Sequence, residues 1–210
     1  MTKSVAVVDY GAGNILNVLR AFASQGINTE LVSDPQKLRK YSHVVLPGVG
    51  AFDYGMSNLT ASGLGDEIVA LVEGGRPVLG ICLGMQLLAE RGFENGLTPG
   101  LGLIRGDIVH LNELNPLDGR IRVPHTGWSS VIWRGGGEGE PFNGLVTAYF
   151  NHSFYLKNPH ASEVVAVATF GGSEIPVAIR AGSLFATQFH PEKSGADGLA
   201  LLRAWVSLPP

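Results

Sequence analysis

The 210-residue chain holds one cysteine, Cys82, inside Pro77-Val78-Leu79-Gly80-Ile81-Cys82-Leu83-Gly84-Met85-Gln86-Leu87-Leu88. A lone cysteine in an apolar stretch is by default a small core hydrophobe. Its context points to a nucleophile instead. Val78–Ile81 reads as a buried strand, the apolar pattern from Leu83 through Leu87 and Leu88 reads as a helix, and Gly80 and Gly84 allow close approach at the joint. A side chain there projects from the end of a sheet, as in a nucleophile elbow, and the N–H groups that open a helix favour the thiolate form that attacks carbonyls.

Such a thiol needs a proton carrier, and Thr187-Gln188-Phe189-His190-Pro191-Glu192-Lys193-Ser194 offers one. Pro191 biases His190 away from helical angles. In an extended segment residues two apart face one side, so His190 and Glu192 align as imidazole and carboxylate. His190 can take the thiol proton and return it to a leaving group, while Glu192 holds the ring's tautomer and orientation. His152, in Asn151-His152-Ser153-Phe154-Tyr155, is the rival base; His43, His110, His125 and His160 have no comparable company.

These groups must be positioned by a larger frame. Ser4–Asp9, Ile27–Val32 and His43–Leu46 read as strands, the first without polar alternation, as in a parallel strand covered on both faces. Between them Ile15, Val18, Leu19 and Phe22 form one stripe of a helix ending near Gly26, and residues around Pro35–Lys40 form a short helix. Strand–helix alternation implies a mostly parallel sheet whose ligands bind at the carboxyl ends of its strands. Two helical patterns broken near Ser62-Gly63 lead to the elbow strand. From Leu103 the texture becomes short strands, at Leu103–Val109, Trp128–Trp133, Val146–Phe150, Glu163–Phe170, Ile175–Arg180 and Leu184–Thr187, with hairpin turns that imply an antiparallel extension. Gly135–Glu140 reads as a surface loop. The expectation is one α/β domain over residues 1–210.

Two loops leave strand ends near the elbow. Asp9-Tyr10-Gly11-Ala12-Gly13-Asn14 lacks the third glycine and the Lys-Ser/Thr of a phosphate loop. Pro47-Gly48-Val49-Gly50 is either an ordinary turn or half of an oxyanion hole, with the Leu83 N–H as the other half. Gln86, four residues beyond Cys82, falls on the same helix face; spacing leaves open whether it meets substrate or is bonded locally. Glu94 in its glycine-flanked loop carries no assignment by itself.

Composition excludes several classes. The net charge is −3 with Lys and Arg dispersed, so no basic stripe suits nucleic acid and no basic amphipathic helix suits a membrane surface. No apolar run approaches the roughly 20 residues of a membrane span, and no leader pattern opens the chain, so a cytoplasmic location is expected. A single cysteine excludes an internal disulfide, and no metal or cofactor is expected.

With the residues in view, Gly80-Ile81-Cys82-Leu83-Gly84-Met85-Gln86 and His190-Pro191-Glu192-Lys193-Ser194 resemble the class I (triad) glutamine amidotransferases, over essentially the whole chain. The fold this implies is flavodoxin-like α/β. Asp9–Asn14, Pro47-Gly48-Val49-Gly50-Ala51-Phe52, Pro124-His125 with Gly127-Trp128, and His152–Tyr155 resemble the glutaminase subunits of imidazole glycerol phosphate synthase. Thr126 and Ser129 depart from the Met and Asn common there. The resemblance implies that glutamine is the substrate, that Cys82, His190 and Glu192 form the triad, and that Val49 and Leu83 are the oxyanion donors. It implies that Gly50, Gln86, Glu94, His152 and Ser153 contact glutamine, and that Asn14, Tyr149 and Lys193 face a separate (β/α)₈-barrel cyclase subunit that receives the ammonia in histidine biosynthesis. The alternatives are a glutaminase serving another ammonia-channelling complex, such as pyridoxal phosphate synthase, a related thiol hydrolase, and a scaffold with a vestigial triad.

Overall fold

The computed structural model of the chain describes residues 3–114, 122–134 and 144–209. The expected loop over Gly135–Glu140 lies outside them. The first half runs β1 (Ser4–Val8), α1 (Ile15–Ala23), β2 (Asn28–Val32), α2 (Pro35–Leu38), β3 (His43–Leu46), α3 (Phe52–Ser62), α4 (Leu64–Glu73), β4 (Val78–Ile81) and α5 (Leu83–Leu87). The second half runs β5 (Ala89–Gly92), β6 (Thr98–Pro99), β7 (Ile104–His110), β8 (His125–Ser130), β9 (Ile132–Trp133), β10 (Thr147–His152), β11 (Phe154–Lys157), β12 (Val164–Phe170), β13 (Ser173–Ala181), β14 (Leu184–Thr187) and α6 (Gly195–Ser207).

The central sheet has the order β2-β1-β3-β4-β14-β13-β12-β9. Its strands are parallel from β2 to β14 and antiparallel beyond, so the expected class holds. Alternate residues of the central strands face opposite sides of the sheet, and both sides are buried. Val5, Val7, Val45, Leu79 and Phe185 pack with α1 and α6 residues such as Phe22 and Trp205. Ala6, Val8, Val44, Leu46 and Ala186 pack on the opposite face with Leu38, Leu59, Ile68 and Leu83. Helices thus cover both faces, which is why these strands lack polar alternation. Among the described residues no helix is long and apolar enough to cross a membrane.

The structure departs from the sequence expectations after the elbow. The helix there is only five residues long, because the chain turns at Leu88 into β5, whose carbonyls and those of Leu87 and Leu88 accept N–H bonds from Gly100–Ile104. A four-stranded sheet of order β11-β7-β5-β6 results, and β5, β6 and β11 were not anticipated. The expected Trp128–Trp133 strand is two strands, β8 and β9, that join different sheets.

The strand order reverses beside β1, which lies between β2 and β3 although it precedes both in sequence. Ligand crevices form outside the carboxyl ends of strands at such a switch point. The loops after β1, β3, β4 and β14 all leave from that edge, and they carry Tyr10–Asn14, Pro47–Gly50, Cys82 and Gln188–Glu192.

Candidate active site

Cys82 follows β4 with φ 53° and ψ −110°, a left-handed backbone that a non-glycine residue holds only under surrounding constraint. The constraint is visible. The Cys82 N–H donates to Thr187 O at 2.7 Å, extending the β4–β14 pairing by one step, and the Gln86 N–H donates back to Cys82 O at 3.2 Å to open α5. Parallel pairing of β4 with β14 therefore brings the elbow and the His190 segment to neighbouring strand ends. The long-range half of the triad comes from sheet topology.

The local half differs in form from the expectation. His190 is extended, at φ −101° and ψ 94°, but Pro191–Lys193 is a 3₁₀ turn. That turn, not continued strand alternation, brings the Glu192 carboxylate back to the ring, with Nδ1 2.8 Å from Oε1 and both side chains at most 2% exposed. Ser194 locks the turn: its Oγ donates to His190 O at 2.7 Å and accepts from the Tyr149 N–H at 3.0 Å, while the His190 N–H donates to Tyr149 O at 2.9 Å. Burial pulls the imidazole pKa down, but the side chains of Cys82 and Glu192 outweigh it and raise it to about 9. Among the described residues His190 Nε2 has no hydrogen-bond partner within bonding geometry, yet Cys82 is close enough to contribute to that rise.

Cys82 opens on a cavity of about 170 Å³. Val49, Gly50, Leu83, Gln86, Glu94, His152 and Ser153 line it with Cys82, so the residues singled out from the sequence around the nucleophile meet in one place. Pro124, Asn151 and Phe154 line it too and carried no such assignment. Asn151 to Phe154 reach the cavity because Ser153 is the break between β10 and β11.

Hydrogen-bond directions limit what each wall can offer. Gln86 Nε2 donates to Phe154 O at 3.1 Å and to Gln188 Oε1 at 3.0 Å, so both its N–H groups are used and only its carbonyl oxygen remains for a ligand. His152 Nδ1 lies 2.8 Å from Phe154 O, which can only accept, so the proton is on Nδ1. Burial lowers the His152 pKa to about 4, leaving a neutral ring whose Nε2 is a buried acceptor without a partner among the described residues. With no carboxylate and that pKa, His152 does not rival His190 as proton carrier. Glu94 Oε2 accepts from the Phe52 N–H at 2.7 Å, at the start of α3, which holds the carboxylate against the cavity.

The Pro47–Gly50 loop is engaged with the elbow. The Leu83 N–H donates to Gly48 O at 3.3 Å, so a carbonyl of the loop, rather than an N–H, faces this donor. Tyr10 Oη donates to Pro47 O at 2.8 Å from a buried position, and burial, with the Cys82 sulfur nearby, raises its pKa so that the donor persists at any working pH.

The three residues expected at a partner surface are accessible to different degrees. Asn14 is exposed at the start of α1. Lys193 Nζ lies over the half-buried Tyr149 ring at 5.7 Å, and Trp128, 57% exposed, meets the same ring edge-on at 6.1 Å. The departures at β8 are hydrogen-bonded: Thr126 Oγ1 to Asn151 Oδ1 and Ser129 Oγ with His125 Nε2, each at 3.0 Å.

A buried cysteine–imidazole–carboxylate array at the carboxyl edge of such a sheet defines a class of protein. The chain belongs to the class I glutamine amidotransferases, whose family model, described as "Glutamine amidotransferase class-I", matches residues 6–206. Within that class its relatives are HisH subunits of imidazole glycerol phosphate synthase. It is 43% identical over 196 residues to the one from Streptococcus sanguinis, covering 93% of this chain and 92% of that one. It is 37% identical over 205 residues to the one from Rhodopirellula baltica, covering 98% of each. Among solved structures, that of PurLQS from Thermotoga maritima superposes with a TM-score of 0.73 at 22% identity over 98% of each chain, which shows the shared fold.

Proposed function

We propose that the chain, acting as one domain, hydrolyses glutamine to glutamate and ammonia and passes the ammonia to a separate (β/α)₈-barrel cyclase subunit of imidazole glycerol phosphate synthase. The observation that carries this reading is His190, paired with Glu192 at 2.8 Å and raised to about 9 beside Cys82 at the cavity. Cys82 Sγ attacks the side-chain carboxamide carbon. The tetrahedral centre expels its nitrogen as the C–N bond breaks, and His190 supplies the proton that lets it leave as ammonia. Water, deprotonated by the same ring, then cleaves the glutamyl thioester to glutamate. A cavity of about 170 Å³ suits a single amino acid better than a polypeptide. The Gln86 carbonyl and the Glu94 carboxylate are acceptors suited to the substrate's α-ammonium.

The state of the oxyanion loop supports a dependence on the partner. Ammonia set free in water becomes ammonium and is lost as a nucleophile, so a glutaminase without its own acceptor site gains from being quiet until docked. With Gly48 O on the Leu83 N–H, that donor is not available to a tetrahedral oxyanion. Docking at the surface of Asn14, Tyr149 and Lys193 would turn the Gly48–Val49 peptide and free it. One oxyanion donor is worth about 10² to 10³ in rate, and that is the expected rise in glutamate release when saturating cyclase subunit and its acceptor nucleotide are added. Equal single-turnover rates with and without them would refute the gating. Glutamate release with and without the partner, before and after alkylation of Cys82, tests the activity itself.

The raised His190 pKa also sets a pH limit. Because the acid form is needed to expel ammonia, kcat/KM should fall as pH rises through about 9. In Glu192→Gln the carboxylate that helps hold the proton is gone, so the falling limb should move to lower pH. An unmoved limb would mean Glu192 does not act through the ring. The sign for stability is the same: a pKa raised from 6.5 stabilises the fold fully below the unfolded value, and that contribution fades as pH rises through about 9.

A further inference from the structure

The sulfur has a contact that the mechanism above does not use. Gln188, fully buried two residues before His190, places its side-chain Nε2 3.8 Å from Cys82 Sγ. The hydrogen-bond chain fixes which atom this is. Phe154 O can only accept, so the Gln86 atom 3.1 Å away is the amide nitrogen. That nitrogen's second hydrogen goes to the Gln188 side chain at 3.0 Å, so the receiving atom is oxygen and the NH₂ group is turned to the sulfur. One backbone carbonyl thereby orients two amides in series.

The geometry points to Gln188 as a hydrogen-bond donor to the Cys82 sulfur, stabilising the thiolate and held in that orientation by Phe154 O through Gln86. Sγ also lies 3.8 Å from Asn151 O, and the His190 ring is close enough to interact with it. A carbonyl there can accept from a thiol S–H but repels a thiolate; the protonated His190 ring opposes that repulsion, and the Gln188 N–H adds a neutral donor on another side of the sulfur. A hydrogen bond to an ionised acceptor is roughly twice as strong as one between neutral groups, so the Gln188 N–H weighs on the thiolate side of the balance.

The inference rests on Cys82 being the glutaminase nucleophile, and its test is independent of turnover. Cys82 is the only cysteine, so a single iodoacetamide adduct measured by mass reports it alone. Gln188→Met in the full chain should be alkylated about three- to tenfold more slowly near neutral pH, from the lost charge-assisted bond. The deficit should close or reverse at alkaline pH, because a less stabilised thiolate is intrinsically more reactive. A purely packing role would scale the rate alike at every pH. Superimposable profiles, or uniform scaling, overturn the assignment. Should Gln188→Met fail to fold, nitrogen-15 NMR of the unaltered chain decides: the Gln188 side-chain amide should shift on alkylation of Cys82, and an unmoved signal overturns it. Glutamate release by the unaltered chain with its partner separates the two readings. Its absence removes the glutaminase, whereas release with coincident profiles removes only the donor.

Discussion

Replacing Cys82 with Ala is expected to lower glutamine-dependent synthesis by the assembled enzyme about 10⁶-fold in kcat, the scale seen when a triad nucleophile is removed, while synthesis from added ammonia survives. The asymmetry follows from what the sulfur does. In the proposed reaction it forms the glutamyl thioester, and the ring beside it is held by Glu192. Ammonia supplied from solution reaches the partner's reaction without that step. The substitution removes one atom whose hydrogen bonds, with Asn151 O and Gln188 Nε2, are long at 3.8 Å, and it leaves the His190–Glu192 pair at 2.8 Å in place, so the fold should persist. Assaying the complex with glutamine and then with an ammonium salt at alkaline pH measures both arms. Loss of both would mean that Cys82 has a structural role in the partner's reaction; retention of both would place the nucleophile elsewhere or make the chain a scaffold.

The parts of this site that were legible in the sequence share one physical property: they are local or doubly buried. His43–Leu46, Val78–Ile81 and Leu184–Thr187 are strands at the expected bounds, because their consecutive apolar residues between helical layers, with the polar His43 and Thr187 only at an end, have few alternatives. His190 and Glu192 lie two residues apart, so their meeting needed only a local turn, although the turn proved 3₁₀ rather than extended. What stayed hidden depends on pairing between distant segments. Ala89-Glu90-Arg91-Gly92 has no strand pattern and becomes one only by pairing with β6 and β7, cutting short a helix that Leu83, Leu87 and Leu88 suggested. Phe154–Lys157 was obscured by the chemistry-bearing residues before it. Gln188 was visible in the motif, and the same period-two argument used for His190 and Glu192 would have placed it beside His190. Its contact with Cys82, however, spans 106 positions and is set by β4 pairing with β14. The Gly48 O to Leu83 N–H bond has no sequence signal, since it is a choice of peptide orientation.

Gly84→Ala is expected to be the most disruptive single methyl in the chain's first half. A Cβ at Gly84 would lie 1.8 Å from Leu46 O and 2.8 Å from Leu46 C, both backbone atoms of the strand that ends at the oxyanion loop. Neither side can yield cheaply. Leu46 is paired to Gly80 across β3 and β4, and Gly84 lies in α5, which must stay against the strand end for Cys82 to keep its left-handed backbone. Gly80 is tight too, but its nearest neighbour at 2.6 Å is the tip of Leu88, a side chain that can rotate. Forcing two backbones apart belongs to the rare class of substitutions that cost more than about 4 kcal/mol. Against the 5–15 kcal/mol that typically separates folded from unfolded chains, this should leave a protein with a much lower urea midpoint or none in soluble form. If the chain instead relieves the clash by sliding α5, the sulfur leaves the reach of His190, and alkylation of Cys82 should lose its dependence on that ring's titration. Gly182→Ala is the control: unlike Gly84 it has positive φ, at 59°, but nothing lies within 4 Å, so its cost is backbone strain alone, about 1 kcal/mol. Parent-like stability and glutaminase activity in Gly84→Ala would show that the elbow is not clamped between β3 and α5, and the explanation for the strained cysteine would have to be sought on the β14 side.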